Sequence, residues 1–307
     1  MAIEHFFLPW AAYCCKNTSQ ICRLFVAIAC FYLCPGLSFA ALLIEAPAEA
    51  SQGSAVLIRL FSDEPIRSVV VTWQEITFSV PMTMERDTNI GLALLPMPLD
   101  VTRPLGLQAT AGKFSATAVI RPIGIVWPRQ EIRVENKYVT PPPAVQKRIE
   151  DEQRKVRALL TRISPERWWD MPCTRPVPGD VSSVFGGQRV YNGQPRSRHR
   201  GVDLRADMGQ PVLTMAGGRV AIAEEHYFSG NVIFIDHGQG LVSLYAHLST
   251  LFVTEGDVVH PGQEIGLVGA TGRVTGPHLH WGVNILGKPV DPLSLLPIRI
   301  KTSTGTR

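Results

Sequence analysis

The sequence predicts a mainly β protein: an N-terminal immunoglobulin-like β-sandwich, a connecting α-helix and a C-terminal antiparallel β-sheet domain. Three observations carry this. From Ala41 to about Val139, short runs rich in Val, Ile, Thr and aromatic residues alternate with turn residues, and no helical period persists. Pro141-Pro142-Pro143 then breaks the pattern, and apolar residues recur behind it at helical spacing. From about Met171, short β runs return between glycine-rich turns.

The chain of 307 residues suits about two domains, and 45% hydrophobic with 18% charged residues marks a globular protein. A net charge of +4 is too small to argue for nucleic acid. The expected division is a leader over 1–40, a β-sandwich over 41–140, a helical linker over 141–170 and a further domain over 171–307.

Lys16 and Arg23 precede an apolar run from Leu24 to Leu37, followed by Ser38-Phe39-Ala40. A basic region, an apolar core and a small-x-small site describe a secretory signal peptide. The run falls short of the roughly twenty apolar residues of a membrane span; an uncleaved anchor is the alternative. Cys14, Cys15, Cys22, Cys30 and Cys34 lie in this leader, so cleavage after Ala40 leaves Cys173 alone and no internal disulfide. The residues before Cys30 and Cys34 match a lipoprotein signal poorly.

In the sandwich region the clearest runs are Val56–Leu60, Val69–Trp73, Ile76–Val80, Gly106–Ala111 and Ser115–Ile120, within a total of about seven. The region holds no histidine or cysteine and reads as a spacer or binding module. In the helix, Val145, Ile149, Val156, Leu159, Leu160 and Ile163 form the apolar stripe, and the charges form a solvated face. Trp168 and Trp169 are expected to pack at its end. Beyond it, candidate strands are Val212–Met215, Arg219–Glu224, Val232–Asp236, Val242–His247, Ile265–Val268 and Leu279–Ile285.

Of eight histidines, all but His5 lie between positions 199 and 280. His199 and Asp203 stand four apart, and His278 and His280 two apart. On extended chain both spacings place the pair on one face, with Leu279 turned to the core. Two neighbouring strands would then offer imidazoles and a carboxylate to one ion. Three N/O ligands with water in the fourth position is the pattern of a catalytic zinc site, and Cys173 alone could not close a structural one. Spare histidines would move protons and hydrogen-bond an oxyanion. Spacing alone does not choose between His278 and His280 as ligand.

The segments SVFGGQRVYNGQPRSRHRGVDLRADMGQPV, GNVIFIDHGQGLVSLYAHLS and GQEIGLVGATGRVTGPHLHWGV resemble the lysostaphin/LytM-type zinc metallopeptidases that cleave peptidoglycan. The resemblance runs over roughly residues 180–293. It implies one Zn²⁺ per chain held by His199, Asp203 and His280, with His247 and His278 as flanking catalytic residues and a groove for a flexible cross-link. It implies a zinc metalloendopeptidase whose partners are peptidoglycan peptide stems and a regulatory envelope protein. The exported protein is expected in the periplasm or cell envelope, with no nucleic acid and no stable membrane span after leader cleavage. Some relatives have lost these positions and activate other wall hydrolases; a non-catalytic activator of a peptidoglycan amidase is therefore the alternative, and a metal that only staples the domain is a third reading.

His226, His237 and His260 read as ordinary polar residues, and Gly266, Gly269, Gly272 and Gly276 as tight turns rather than a phosphate loop. Arg196, Arg198, Arg200 and Arg205 meet either stem carboxylates or solvent. Tyr245 shares a strand face with His247 and either hydrogen-bonds substrate or packs.

Overall fold

A computed structural model describes residues 42–85 and 87–300, which belong to one compact unit. The expected leader lies outside them. Among the described residues no helix is long and apolar enough to cross a membrane.

The N-terminal region is a two-sheet sandwich. One sheet runs in the order Leu43–Glu45, Ala55–Ser62, Thr88–Pro96, Thr83–Glu85. The other runs Glu49–Ser51, Phe114–Ile123, Leu105–Ala111, Ser68–Trp73, Ile76–Pro81. The first strand is shared between sheets: Leu43–Glu45 pairs antiparallel with Ala55–Ser62, and Glu49–Ser51 pairs parallel with Phe114–Ile123. This is the immunoglobulin-like order. Nine strands are present among the described residues, because short edge strands carry too few residues to show an alternation. Ser68–Trp73 and Leu105–Ala111 alternate buried and exposed positions, as sheets with one core face do. Trp73 is fully buried, and its indole N–H donates to the Pro96 carbonyl at 3.0 Å.

Arg129–Ile132 does not join the sandwich. It pairs in parallel with Gln188–Tyr191, which pairs antiparallel with Gln194–Arg198. Asn192 and Gly193 turn that hairpin with φ of 49° and 80°, the two positive values of a type I′ turn. Buried residues of both regions form one continuous cluster, and a Cβ on Gly53 would stand 2.7 Å from the Phe185 ring. Ala55 N–H donates to Ser294 Oγ at 2.9 Å, and Asp291 N–H to the Gly53 carbonyl at 2.7 Å.

The helix spans Pro143–Thr161 with a proline in its first turn, where the missing N–H has no helical partner to lose. Val156, Leu159 and Leu160 pack on Ile222, Val232, Phe234, Val242 and Ala246. Its outer face carries the i,i+4 pairs Lys147–Asp151 and Arg148–Glu152. Ile163 lies beyond the helix end and is exposed; of the two tryptophans, Trp169 is buried and Trp168 is not.

The C-terminal region is a ten-stranded sheet whose pairings are antiparallel. Its path runs Val181–Ser183, Val202–Leu204, Leu279–Ile285, Leu241–Leu251, Gly230–Gly238, Gly218–His226, Val258–Val259. Cys173 is a buried free thiol.

His237 belongs to this core. Fully buried, it donates from Nδ1 to the Gly217 carbonyl at 2.6 Å and accepts at Nε2 from Ser243 at 2.7 Å. Burial pushes its pKa down to about 4, whereas an unfolded histidine titrates near ~6.5. Between these values the unfolded chain binds a proton that the folded chain refuses, so stability falls as pH drops from about 6.5 towards 4. Urea unfolding at pH 7.5 and pH 5 is expected to show a smaller loss of stability at the lower pH in His237→Gln than in wild type.

Candidate metal centre and groove

The register of the central strands builds the site. Asp203 stands opposite His280 on one side, and Ala246 opposite His280 on the other. His278 and His280 flank the fully buried Leu279 and face the site together. His199 reaches the site from a segment outside the strands; its N–H donates to the Gly187 carbonyl and its carbonyl accepts from Gly186. The intervening Gly201 is a close approach: a Cβ there would meet the Trp281 carbonyl at 2.5 Å and the His280 ring at 2.8 Å.

His199 Nε2 lies 3.1 Å from Asp203 Oδ1 and 3.0 Å from His280 Nδ1, and that Nδ1 lies 2.7 Å from Oδ1. Zinc holds such atoms at about 2.0–2.2 Å, which separates tetrahedral ligands by about 3.3 Å. Two nitrogens and one oxygen at these distances fit that ion, and among the described residues they are the one such group of donors. His199 Nδ1 donates to the Val184 carbonyl at 2.9 Å, which leaves Nε2 as the lone-pair nitrogen.

His247 and His278 stand beside these donors. Their ring centroids are 5.0 Å apart, and His278 Nε2 is 3.9 Å from Asp203 Oδ1. Each donates from Nδ1 to a backbone carbonyl at 2.9 Å, His247 to Thr271 and His278 to Gly276, so each Nε2 carries the basic lone pair. His247 has a left-handed backbone with φ 66°, and its N–H leaves the ladder for the Ser229 carbonyl at 2.9 Å. The pairing shifts register around it, as at a β-bulge that re-aims a side chain.

That bulge separates His247 from Tyr245, which does not share its face. Tyr245 is fully buried, and its hydroxyl accepts from the Met215 N–H at 2.8 Å; it packs. Arg198 pairs with Asp100 at 2.8 Å and lies over Trp127, tying the sandwich to the site's flank. Arg200 and Arg205 line the groove, His226 pairs with Glu224, and His260 is exposed. Gly272 is a tight turn at φ 77°, packed against the Gly230 backbone.

Burial lowers the pKa of His280 to about 4 and, helped by neighbouring histidines, that of His247 to about 3. Both are neutral near pH 7, the form that binds metal or accepts a proton. Burial opposes ionisation of Asp203, but the close His199 and His280 rings outweigh it and hold the carboxyl well below the usual carboxylate range.

A groove of about 540 Å³ opens on Asp203, His247 and His278, and a second of about 250 Å³ opens on His199, His247 and His280. Arg189, Tyr191 and Arg273 border both. The Arg273 guanidinium lies between the rings of Tyr191 (4.4 Å) and Phe228 (4.8 Å). Gln130 and Ile132 supply one wall of the larger groove, and Ser183 donates to Gln130 Oε1 at 2.8 Å. All five residues singled out from the sequence thus meet. Arg189, Tyr191, Arg273 and Gln130 were not singled out; Asn192-Gly193 signals the hairpin that carries two of them, but its pairing with Arg129–Ile132 is invisible in local pattern.

Residues 197–292 match peptidase family M23. The chain carries an M23 peptidase domain. It is 40% identical over 114 residues to the peptidoglycan DD-endopeptidase ShyA of Vibrio cholerae, covering 37% of this chain and 26% of that protein. It is 44% identical over 115 residues to the DD-carboxypeptidase/endopeptidase Mpg of Neisseria meningitidis, covering 38% and 26%. The chain thus spans about a quarter of the length of these curated relatives. A Pseudomonas aeruginosa crystal structure assigned to the M23 peptidases matches with a TM-score of 0.63 and 28% identity, covering 80% of this chain and 94% of that one. That coverage exceeds the M23 span, so it takes in β-rich structure preceding the domain.

The close approach at Gly201 makes a specific demand on the M23 domain. Gly201→Ala is expected to destabilise the protein by about 1–3 kcal/mol, the usual range for an overpacked site, as read by urea unfolding.

Proposed function

We propose that the chain is an exported zinc endopeptidase that hydrolyses peptide cross-links of bacterial peptidoglycan in the periplasm or cell envelope. The observation that carries this reading is a carboxylate oxygen and two imidazole nitrogens 2.7–3.1 Å apart, beside two further imidazoles in an open groove. The M23 match, and relatives named for action on peptidoglycan, support the substrate class.

His199, Asp203 and His280 would hold the zinc. When bound, it supplies a water acidic enough to attack near neutral pH and a Lewis acid for the substrate carbonyl. The chain does the rest. His247 or His278 would take a proton at Nε2 as the water attacks, and the imidazolium would then return it to the leaving amine. Between those transfers an Nε2–H donates to the oxyanion. The Thr271 and Gly276 carbonyls hold the two rings so that Nε2 stays towards the site. A peptide in the larger groove would pass Asp203, His247 and His278.

The test is mass spectrometry of muropeptides released from purified sacculi, with metal content measured alongside. Wild type is expected to bind one zinc and release cross-link fragments. His278→Ala is expected to stay folded and zinc-loaded while activity falls by about 10²–10⁴, the usual contribution of a positioned acid–base group. Asp203→Ala is expected to lose the zinc as well. A folded, zinc-loaded wild type that releases nothing would leave the amidase-activator reading instead.

A further inference from the structure

We propose that Arg189 is a positioning residue that keeps Asp203 ligated to the metal through one oxygen and so preserves the coordination position needed by water. The inference rests on the zinc-peptidase reading above. The two oxygens of Asp203 have separate partners. Oδ1 faces His199 Nε2 at 3.1 Å and His280 Nδ1 at 2.7 Å, whereas Oδ2 accepts from Arg189 Nη2 at 2.5 Å. A carboxylate free to rotate could turn both oxygens on one ion. Oδ2 would then take space that the attacking water requires, since a catalytic zinc site depends on three protein ligands and an open position. A charge-assisted hydrogen bond from a guanidinium opposes that rotation, as partners behind metal ligands commonly fix ligand orientation.

Arg189 is itself held in place. Its strand is the middle one of three, paired with Arg129–Ile132 on one side and Gln194–Arg198 on the other. Its Nη1 donates to the Tyr191 hydroxyl at 3.2 Å, so the planar fork is gripped at two points. Its Nε is buried with no hydrogen-bond partner among the described residues. That unsatisfied donor is a cost, and the side chain accepts it while reaching Oδ2. The residue also borders both grooves, so its orienting contact lies where the peptide would pass.

The experiment uses the full chain loaded with Co²⁺ in place of zinc, because four-coordinate cobalt absorbs visible light much more strongly than five-coordinate cobalt. Cobalt spectra, metal affinity, melting temperature and kcat and KM on cross-linked muropeptides are compared for wild type, Arg189→Met and Arg189→Lys. Arg189→Met is expected to bind one Co²⁺ within about tenfold of wild-type affinity, with weakened visible bands, kcat lower by about 10- to 100-fold and KM little changed. Arg189→Lys, which restores a cationic donor, is expected to recover part of the spectrum and of kcat together. If Arg189→Met does not fold, Arg189→Gln serves for the same readings. A wild-type spectrum and kcat in a folded neutral variant would overturn the proposal. So would a fall in affinity and melting temperature with the spectrum unchanged, since Arg189 would then only stabilise the hairpin. Wild type that takes up no Co²⁺ overturns the zinc reading itself and this proposal with it.

Discussion

The antiparallel register that sets Asp203 opposite His280 is the constraint on which the M23 site depends. A carboxylate and an imidazole directly across two strands bring Oδ1 and Nδ1 to 2.7 Å, and His199 Nε2 then completes a triangle of donors small enough for one ion. A shift of one residue would turn every side chain of a strand to the other face, burying His280 and turning Leu279 to the groove. The fully buried side chains of Val202, Leu204, Leu279 and Trp281 resist that slip, because each would have to leave the core. The candidate metal centre is thus fixed by packing beneath it.

Beside the triangle, regularity gives way. His247 adopts a left-handed backbone on a strand whose neighbouring pairings are offset. A bulky side chain pays for that conformation, and the Ser229 and Thr271 carbonyls compensate by accepting its backbone and ring N–H groups. The distortion brings the imidazole beside His278 while Tyr245, two residues earlier, stays in the core.

Much of this was readable in advance because the signals are local. Period-two spacing explains why His278 and His280 share a face, and short runs bounded by turn residues mark most of the strands. Close packing at Gly201, the bulge at His247 and the contact of Arg189 with Asp203 depend on partners distant in sequence, which local patterning does not carry. The same holds for Arg129–Ile132, whose residues look like a continuation of the sandwich but pair about 59 positions further along with Gln188–Tyr191. Ile163 fits the helical period, yet the helix stops at Thr161, since periodicity marks which residues align better than where a helix ends.

The parallel pairing of Arg129–Ile132 also changes what counts as the peptidase. Gln130 and Ile132 line the groove together with His247 and His278, which come from chain beyond residue 240. A fragment cut at the boundary suggested by the M23 match, at residue 197, would carry the candidate metal ligands but neither Gln130 and Ile132 nor the hairpin bearing Arg189 and Tyr191. The groove is a joint product of two stretches of chain, and exchanging the upstream one would reshape it while leaving the candidate metal-binding residues untouched.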